Sequence, residues 1–290
     1  MDESDIKAIE PQVADPWRQW LASPPGRYVL AWEQEQLDTA VSDIFGFHAL
    51  QLGLPEIDTL RSNRMPHRVQ AVLPDEPLLS AQPPLLDLPL APVQSGELAA
   101  RTCVRIEQAE ELPFDSQSLD LVVLPHVLEF AQEPHEVLRE VERVLRPEGR
   151  LIVCGFNPIS LWGARQAIPR RLLPPLLPRP ARLIPTARLR DWLKLLSFEM
   201  DRGRYGCYRP PCRTQLWLDR TRFLESAGDR WWPVCGAVYL VAAQKRVRGM
   251  RLIGPAWKTR SRKAAAAPAV VSGRTCNRES AEAGSDRRAT

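Results

Sequence analysis

Apolar and polar positions alternate along this chain in two rhythms, one helical and one extended. In "GRYVLAWEQEQLDTAVSDIFG" (26–46), Val29, Leu30, Leu37, Ala40, Val41 and Ile44 fall on one face at helical spacing, and Gly46 is placed to stop the helix. A strand, "HALQLG" (48–53), follows at once, and "RVQAVL" (68–73) and "TCVRIEQ" (102–108) read as two more. "LDLVVL" (119–124) is a short continuous apolar run, the signature of a strand buried on both faces.

The next segment completes a recognisable unit. "PHEVLREVERVL" (134–145) puts Val137, Leu138, Val141, Val144 and Leu145 on one helical stripe, with Pro134 suited to the first helical position and Pro147 and Gly149 beyond its end. "RLIVC" (150–154) is another buried strand. Strand, crossover helix and strand in succession make a βαβ unit, so part of the sheet is parallel and the fold class is α/β. Further on, "ARLRDWLKLLSF" (187–198) and "TQLWLDRTRFLESAG" (214–228) read as helices, and "GAVYLVAAQKR" (236–246) as a strand.

Proline interrupts this order twice. Residues 74–99 carry six prolines and 168–186 mix prolines with arginines, so neither holds an ordinary helix; both read as insertions into one domain. The chain then divides into a polar lead-in (1–24), an α/β domain (25–247) and a basic tail (248–290) without apolar period, expected to be disordered.

Charge and composition narrow the function classes. Residues 1–154 hold 12 Lys and Arg against 26 Asp and Glu, whereas residues 155–290 hold 27 against 9. This asymmetry leaves two readings of the C-terminal half: an arginine-rich surface with a basic tail, or a site for an anionic partner such as nucleic acid. Six cysteines form no Cys-x-x-Cys pair and four histidines are scattered, so neither a zinc centre nor a disulfide framework is expected. There is no secretory signal and no apolar stretch long enough to span a bilayer, from which a cytoplasmic protein with no membrane partner is expected.

Residues 112–155 carry the strongest motif run. Leu112-Pro113-Phe114, Leu119-Asp120, Glu133-Pro134 and Arg143-Val144-Leu145-Arg146-Pro147-Glu148-Gly149 stand in order around the buried strand and helix. The run resembles the class I S-adenosylmethionine-dependent methyltransferases, specifically the type-11 branch, and the likeness extends over roughly residues 45–246. The resemblance implies a Rossmann-like, mostly parallel seven-stranded sheet with one antiparallel strand. The cofactor would lie across the carboxyl ends of the strands, where the strand order switches.

Carried over position by position, the resemblance implies a cofactor site made of Gln51, Gly53, Asp75, Gln108 and Ala109. Gln51-Leu52-Gly53 stands where the family has an acidic residue, any residue and glycine after the first strand. Pro55 and Ile57 replace the next two glycines, so this turn cannot keep the family's backbone path. Asp75 stands where a carboxylate grips the ribose hydroxyls. Gln108 offers a side-chain oxygen to the adenine amino group, and the Ala109 amide can donate to the ring. Replacing two carboxylate contacts by neutral ones costs roughly 2–4 kcal/mol, about 1.5 to 3 decades of affinity.

His126, at the end of the fourth strand in "VVLPHVLEF", is the candidate general base acting on a methyl acceptor; the alternative is that it caps the following turn. Two functions stay open: a methyltransferase acting on an unidentified acceptor, and a non-catalytic relative that binds an anionic partner.

Overall fold

Helix α2 (Pro24–Ser42) begins with two prolines after Ser23, where a missing N–H costs nothing, and buries Val29, Leu30, Leu37 and Val41 along one stripe. Each such side chain contributes about 1.5–3 kcal/mol, and Leu30→Ala, at a site with no exposed surface, costs about 2–5 kcal/mol. The computed structural model describes residues 16–73, 102–169, 171–172, 175–177 and 181–246. Asp75, the 74–99 insertion and the 248–290 tail lie outside the described residues.

Seven strands form one sheet: β1 (His48–Leu52), β2 (His67–Val72), β3 (Thr102–Arg105), β4 (Leu119–Pro125), β5 (Leu145–Phe156), β6 (Phe198–Gly206) and β7 (Val238–Lys245). Their order is β3-β2-β1-β4-β5-β7-β6; β7 pairs antiparallel with both β5 and β6, and the remaining pairings are parallel. The strand order reverses between β1 and β4, the position at which open α/β sheets hold ligands.

The period of two is visible across the sheet. Ala49, Leu121, Val123, Ile152 and Leu240 turn to α2 on one face. Leu50, Val122, Leu124, Leu151 and Val153 face α4 (Pro134–Val144) and α6 (Thr186–Leu195) on the other. A single-residue slip in any central strand would exchange these two cores, so the register is strongly specified.

Three features that the sequence reading did not give matter for the site. Part of the polar lead-in is structured: α1 (Pro16–Ala22) buries Trp17 and stacks it on Trp20 at 5.1 Å. Trp17, Trp20 and Leu21 do have helical spacing, but over too few residues to register as a period. The link from β1 to β2, residues 53–66, contains turns and no helix; Ile57, Leu60 and Met65 bury themselves beneath α2 instead. The helix expected at 214–228 is two, α7 (Gln215–Arg220) and α8 (Phe223–Trp231). At the break, the Thr221 hydroxyl donates back to the carbonyls of Trp217 and Leu218.

Candidate functional site

Gln51, the penultimate residue of β1, has a buried side chain directed into the turn that follows. Its Nε2 donates to the carbonyls of Gly53 (3.2 Å), Leu54 (3.1 Å) and Ile57 (2.8 Å). Its Oε1 accepts from the Thr59 amide (3.1 Å) and hydroxyl (2.8 Å). Gln51 is therefore the hub of its own loop. Gly53 and Leu54 both adopt positive φ, 74° and 46°, and the Gly53 amide continues the ladder to Ala71 at 2.8 Å. For leucine this is an uncommon conformation, costing of order 1–2 kcal/mol. The five bonds through Gln51 over-determine the turn and hold it there.

A second turn, from β4 into α3 (Val127–Phe130), brings His126 to the same edge of the sheet. His126 also has positive φ, 55°, and its amide donates to Cys154 at 3.0 Å. It occupies the N-cap position of α3, but its side chain makes no capping bond. Instead the ring lies between two buried carboxylates. Nδ1 is 2.8 Å from Oε2 of Glu129, and Nε2 is 2.6 Å from Oε1 of Glu33 on α2. The other Glu129 oxygen accepts from the Phe156 amide. Burial alone would lower the affinity of His126 for its proton, but the charges of Glu33 and Glu129 reverse this and raise its pKa to about 10. Burial pushes the Glu129 carboxyl up, against the opposing pull of His126 and the Phe156 amide.

The general-base role expected of His126 would need a free nitrogen lone pair, and in this structure both ring nitrogens meet carboxylates. Glu33 was not foreseen, although a signal existed. It is a charged residue at a position where the helical period of Val29, Leu30 and Leu37 calls for an apolar one.

The two turns open onto a cavity of about 550 Å³ at the carboxyl ends of β1, β2 and β4. Leu54 and Leu73 line one side, Gln108 and Ala109 another, and Trp17, His126 and Phe130 the end nearest α1. Its volume lies within the range of small-molecule and cofactor sites. Of the residues expected to bind cofactor, Gln108 and Ala109 reach this cavity and Gly53 forms its adjoining turn. Gln51 supports the turn from beneath without lining the cavity, and Asp75 lies outside the described residues. Among the described residues the Gln108 side chain and the Ala109 amide make no hydrogen bonds, which leaves an acceptor and a donor side by side on one wall. Among the described residues, no group of His, Cys, Asp and Glu is arranged to hold a metal ion.

Asn157, after β5, is structural. Its Nδ2 donates to the carbonyls of Val234 (2.8 Å) and Gly236 (3.0 Å) and its Oδ1 accepts from Ile159, tying the β5 turn to the segment entering β7.

Residues 86–153 match the sequence family Methyltransf_11, described as a methyltransferase domain. The protein YafS of Escherichia coli (strain K12) is 32% identical over 182 residues, covering 62% of this chain and 65% of YafS, just under two thirds. The ubiquinone/menaquinone biosynthesis C-methyltransferase UbiE of Hahella chejuensis is 45% identical over 49 residues, 17% of this chain and 20% of that one. Among solved structures, an S-adenosylmethionine-dependent methyltransferase of Thermotoga maritima superposes with a TM-score of 0.51 at 15% identity, covering 79% of this chain and 94% of that one. Another, from Mesorhizobium loti, gives 0.50 at 16% identity, over 72% and 96%. The match over residues 86–153 is to a methyltransferase domain, and the strand order and the superpositions give the chain the fold of these class I methyltransferase structures.

Proposed function

We propose that this chain is an S-adenosylmethionine-dependent methyltransferase whose cofactor binds in the cavity between the β1 turn, the end of β4 and the Gln108–Ala109 wall. The observation that carries this reading is the pairing of an unengaged acceptor and donor, Gln108 and the Ala109 amide, on a cavity at the sheet's switch point. In this reading the adenine lies against that wall, with Leu54 and Leu73 enclosing its faces. Asp75, just beyond β2, is the proposed partner of the ribose hydroxyls.

The methionine end of the ligand would meet Trp17, His126 and Phe130. When bound, the cofactor supplies a methyl group on a sulfonium, which an acceptor's lone pair displaces in line while the sulfur keeps the bonding electrons. Aromatic faces attract such a cation. His126 acts here as a positioning residue, joining α2, β4 and β5 under the cavity floor.

Calorimetric titration with S-adenosylmethionine and with S-adenosylhomocysteine tests the proposal. Saturable binding tighter than about 100 µM is expected for both, equivalent to about 5.5 kcal/mol. Absence of heat up to millimolar ligand would overturn it.

A further inference from the structure

The apolar side chains that this protein leaves in water are unevenly distributed. Twelve large apolar residues are exposed among the described residues, and ten lie in the two connections β5–β6 and β6–β7, one of them, Leu195, at the end of α6. Six of the ten, Leu216, Trp217, Phe223, Trp231, Trp232 and Val234, belong to or adjoin α7 and α8, with Trp231 70% exposed. Ile159, Leu161 and Leu172 follow β5. β6 runs parallel to β5 because both pair antiparallel with β7, so both connections leave the sheet at its carboxyl edge, where the cavity opens. They are tied together there, Asn157 to the Val234 carbonyl and Trp162 Nε1 to the Arg209 carbonyl at 2.7 Å.

Arginines are interleaved with these side chains. Arg213, Arg220, Arg222 and Arg230 are all exposed, and none is ion-paired among the described residues; Arg220 sits 5.3 Å over the Trp217 ring. Aromatic and aliphatic side chains in water beside unpaired arginines are the composition of a surface that lies in the headgroup region of a bilayer, with apolar groups entering the acyl boundary and cations meeting lipid phosphates.

We infer that α7, α8 and the turn after β5 form a docking face for an anionic lipid surface, which holds the carboxyl edge of the sheet against the membrane. Charge complementarity selects this occupant over others. A second copy packed through the same face would set these arginines against their own counterparts. Nucleic acid would match the arginines and the tryptophans but leave Leu216, Val234, Ile159 and Leu161 without stacking partners. The expectation of no membrane partner rested on the lack of a spanning segment, and among the described residues no helix is long and apolar enough to cross. Docking on the surface needs none.

The test is flotation of the full chain with vesicles of phosphatidylcholine alone and with about 30% phosphatidylglycerol added, at low salt and at about 150 mM salt. The wild type is expected to float with the anionic vesicles at both salt concentrations. The double variant Trp231→Ser/Trp232→Ser removes only exposed rings, so folding is preserved, and it should weaken vesicle binding about tenfold. The basic tail is unchanged in that variant and supplies the internal control for charge attraction alone. Equal binding by wild type and variant would overturn the proposal, since the aromatic face would then contribute nothing. So would failure to float, retention of a single-stranded oligonucleotide in place of vesicles, or a wild-type dimer that the double variant converts to monomer.

Discussion

Nε2 of His126 lies 2.6 Å from Oε1 of Glu33, a carboxylate carried by a helix 93 residues earlier in the chain. The contact fastens α2 to the carboxyl end of β4, where the strand order reverses. Removing one member of such a buried charged group strands the others, so Glu33→Ala should lose about 3–5 kcal/mol in chemical denaturation.

The same contact sets a pH dependence. His126 binds its proton more tightly in the folded chain, with its pKa raised to about 10 from the ordinary value near 6.5. Its contribution is complete below about pH 6.5 and is lost as pH rises through about 10. The melting temperature should therefore fall between pH 7 and pH 10, and fall less steeply in Glu33→Gln, which keeps the shape and removes one charge. Cys154 and Cys207, whose thiols burial pushes up, act in the same direction. The difference between wild type and variant, measured by scanning fluorimetry, is consequently the informative quantity. Equal slopes would show that Glu33 does not hold the proton on His126.

Restoring the family's acidic residue at the end of β1 should do harm. Gln51→Glu replaces an amide donor by a carboxylate oxygen facing the carbonyls of Gly53, Leu54 and Ile57. Buried groups left without partners cost about 1–3 kcal/mol each, so a loss of about 3 kcal/mol is expected. Binding of S-adenosylmethionine should weaken as the turn loosens. Tighter binding in the variant would mean that Gln51 acts on the ligand directly and not through the loop.

On the cavity wall, Gln108→Ala should reduce S-adenosylmethionine affinity about fivefold, the worth of about 1 kcal/mol of hydrogen bonding. Ala109→Pro removes the neighbouring amide donor and should reduce it further. Both effects are read by calorimetry, with circular dichroism to verify the fold. Unchanged affinity in both variants would move the adenine elsewhere.

Asp120 is the acid-labile point of the scaffold. One of its carboxylate oxygens accepts from the amides of Phe47 (2.7 Å) and His48 (3.0 Å), and the other meets Arg146 at 3.1 Å. Burial works to raise its pKa, but the two amides and Arg146 outweigh it and hold the carboxyl below its usual value. Its stabilising effect is thus present above about pH 4 and is lost as pH falls through the lowered value. Asp120→Ala should be less stable than wild type by about 1–3 kcal/mol at pH 7 and by much less at pH 2.5, in urea titrations at the two pH values. A constant difference would assign the loss to packing.

The sequence by itself determined the scaffold. Apolar alternation and helical stripes are local consequences of which residues must leave water. They marked β1, β2, β4, β5, β7, α2, α4 and α6 to within a few residues, and the motif run through residues 112–149 indicated the sheet they form. Gln108 and Ala109, which line the cavity, were singled out by the family resemblance, from their place ahead of Leu112-Pro113-Phe114, and not by any apolar period.

Only the tertiary structure decided what the polar residues do. Gln51 stands at a cofactor-contact position in sequence, but its amide is satisfied by three carbonyls and Thr59, an arrangement that exists only once the turn has closed. For His126 the sequence could not show that both of its nitrogens would meet carboxylates, one of them on a distant helix. Hydrogen bonding is directional and short in range, so the role of a buried polar side chain depends on which atoms come within about 3 Å of it. Apolar burial has no such requirement. That is why the core of this protein could be read along the chain, whereas the chemistry of its site emerged only when Glu33, Gln51 and His126 were brought to one edge of the sheet.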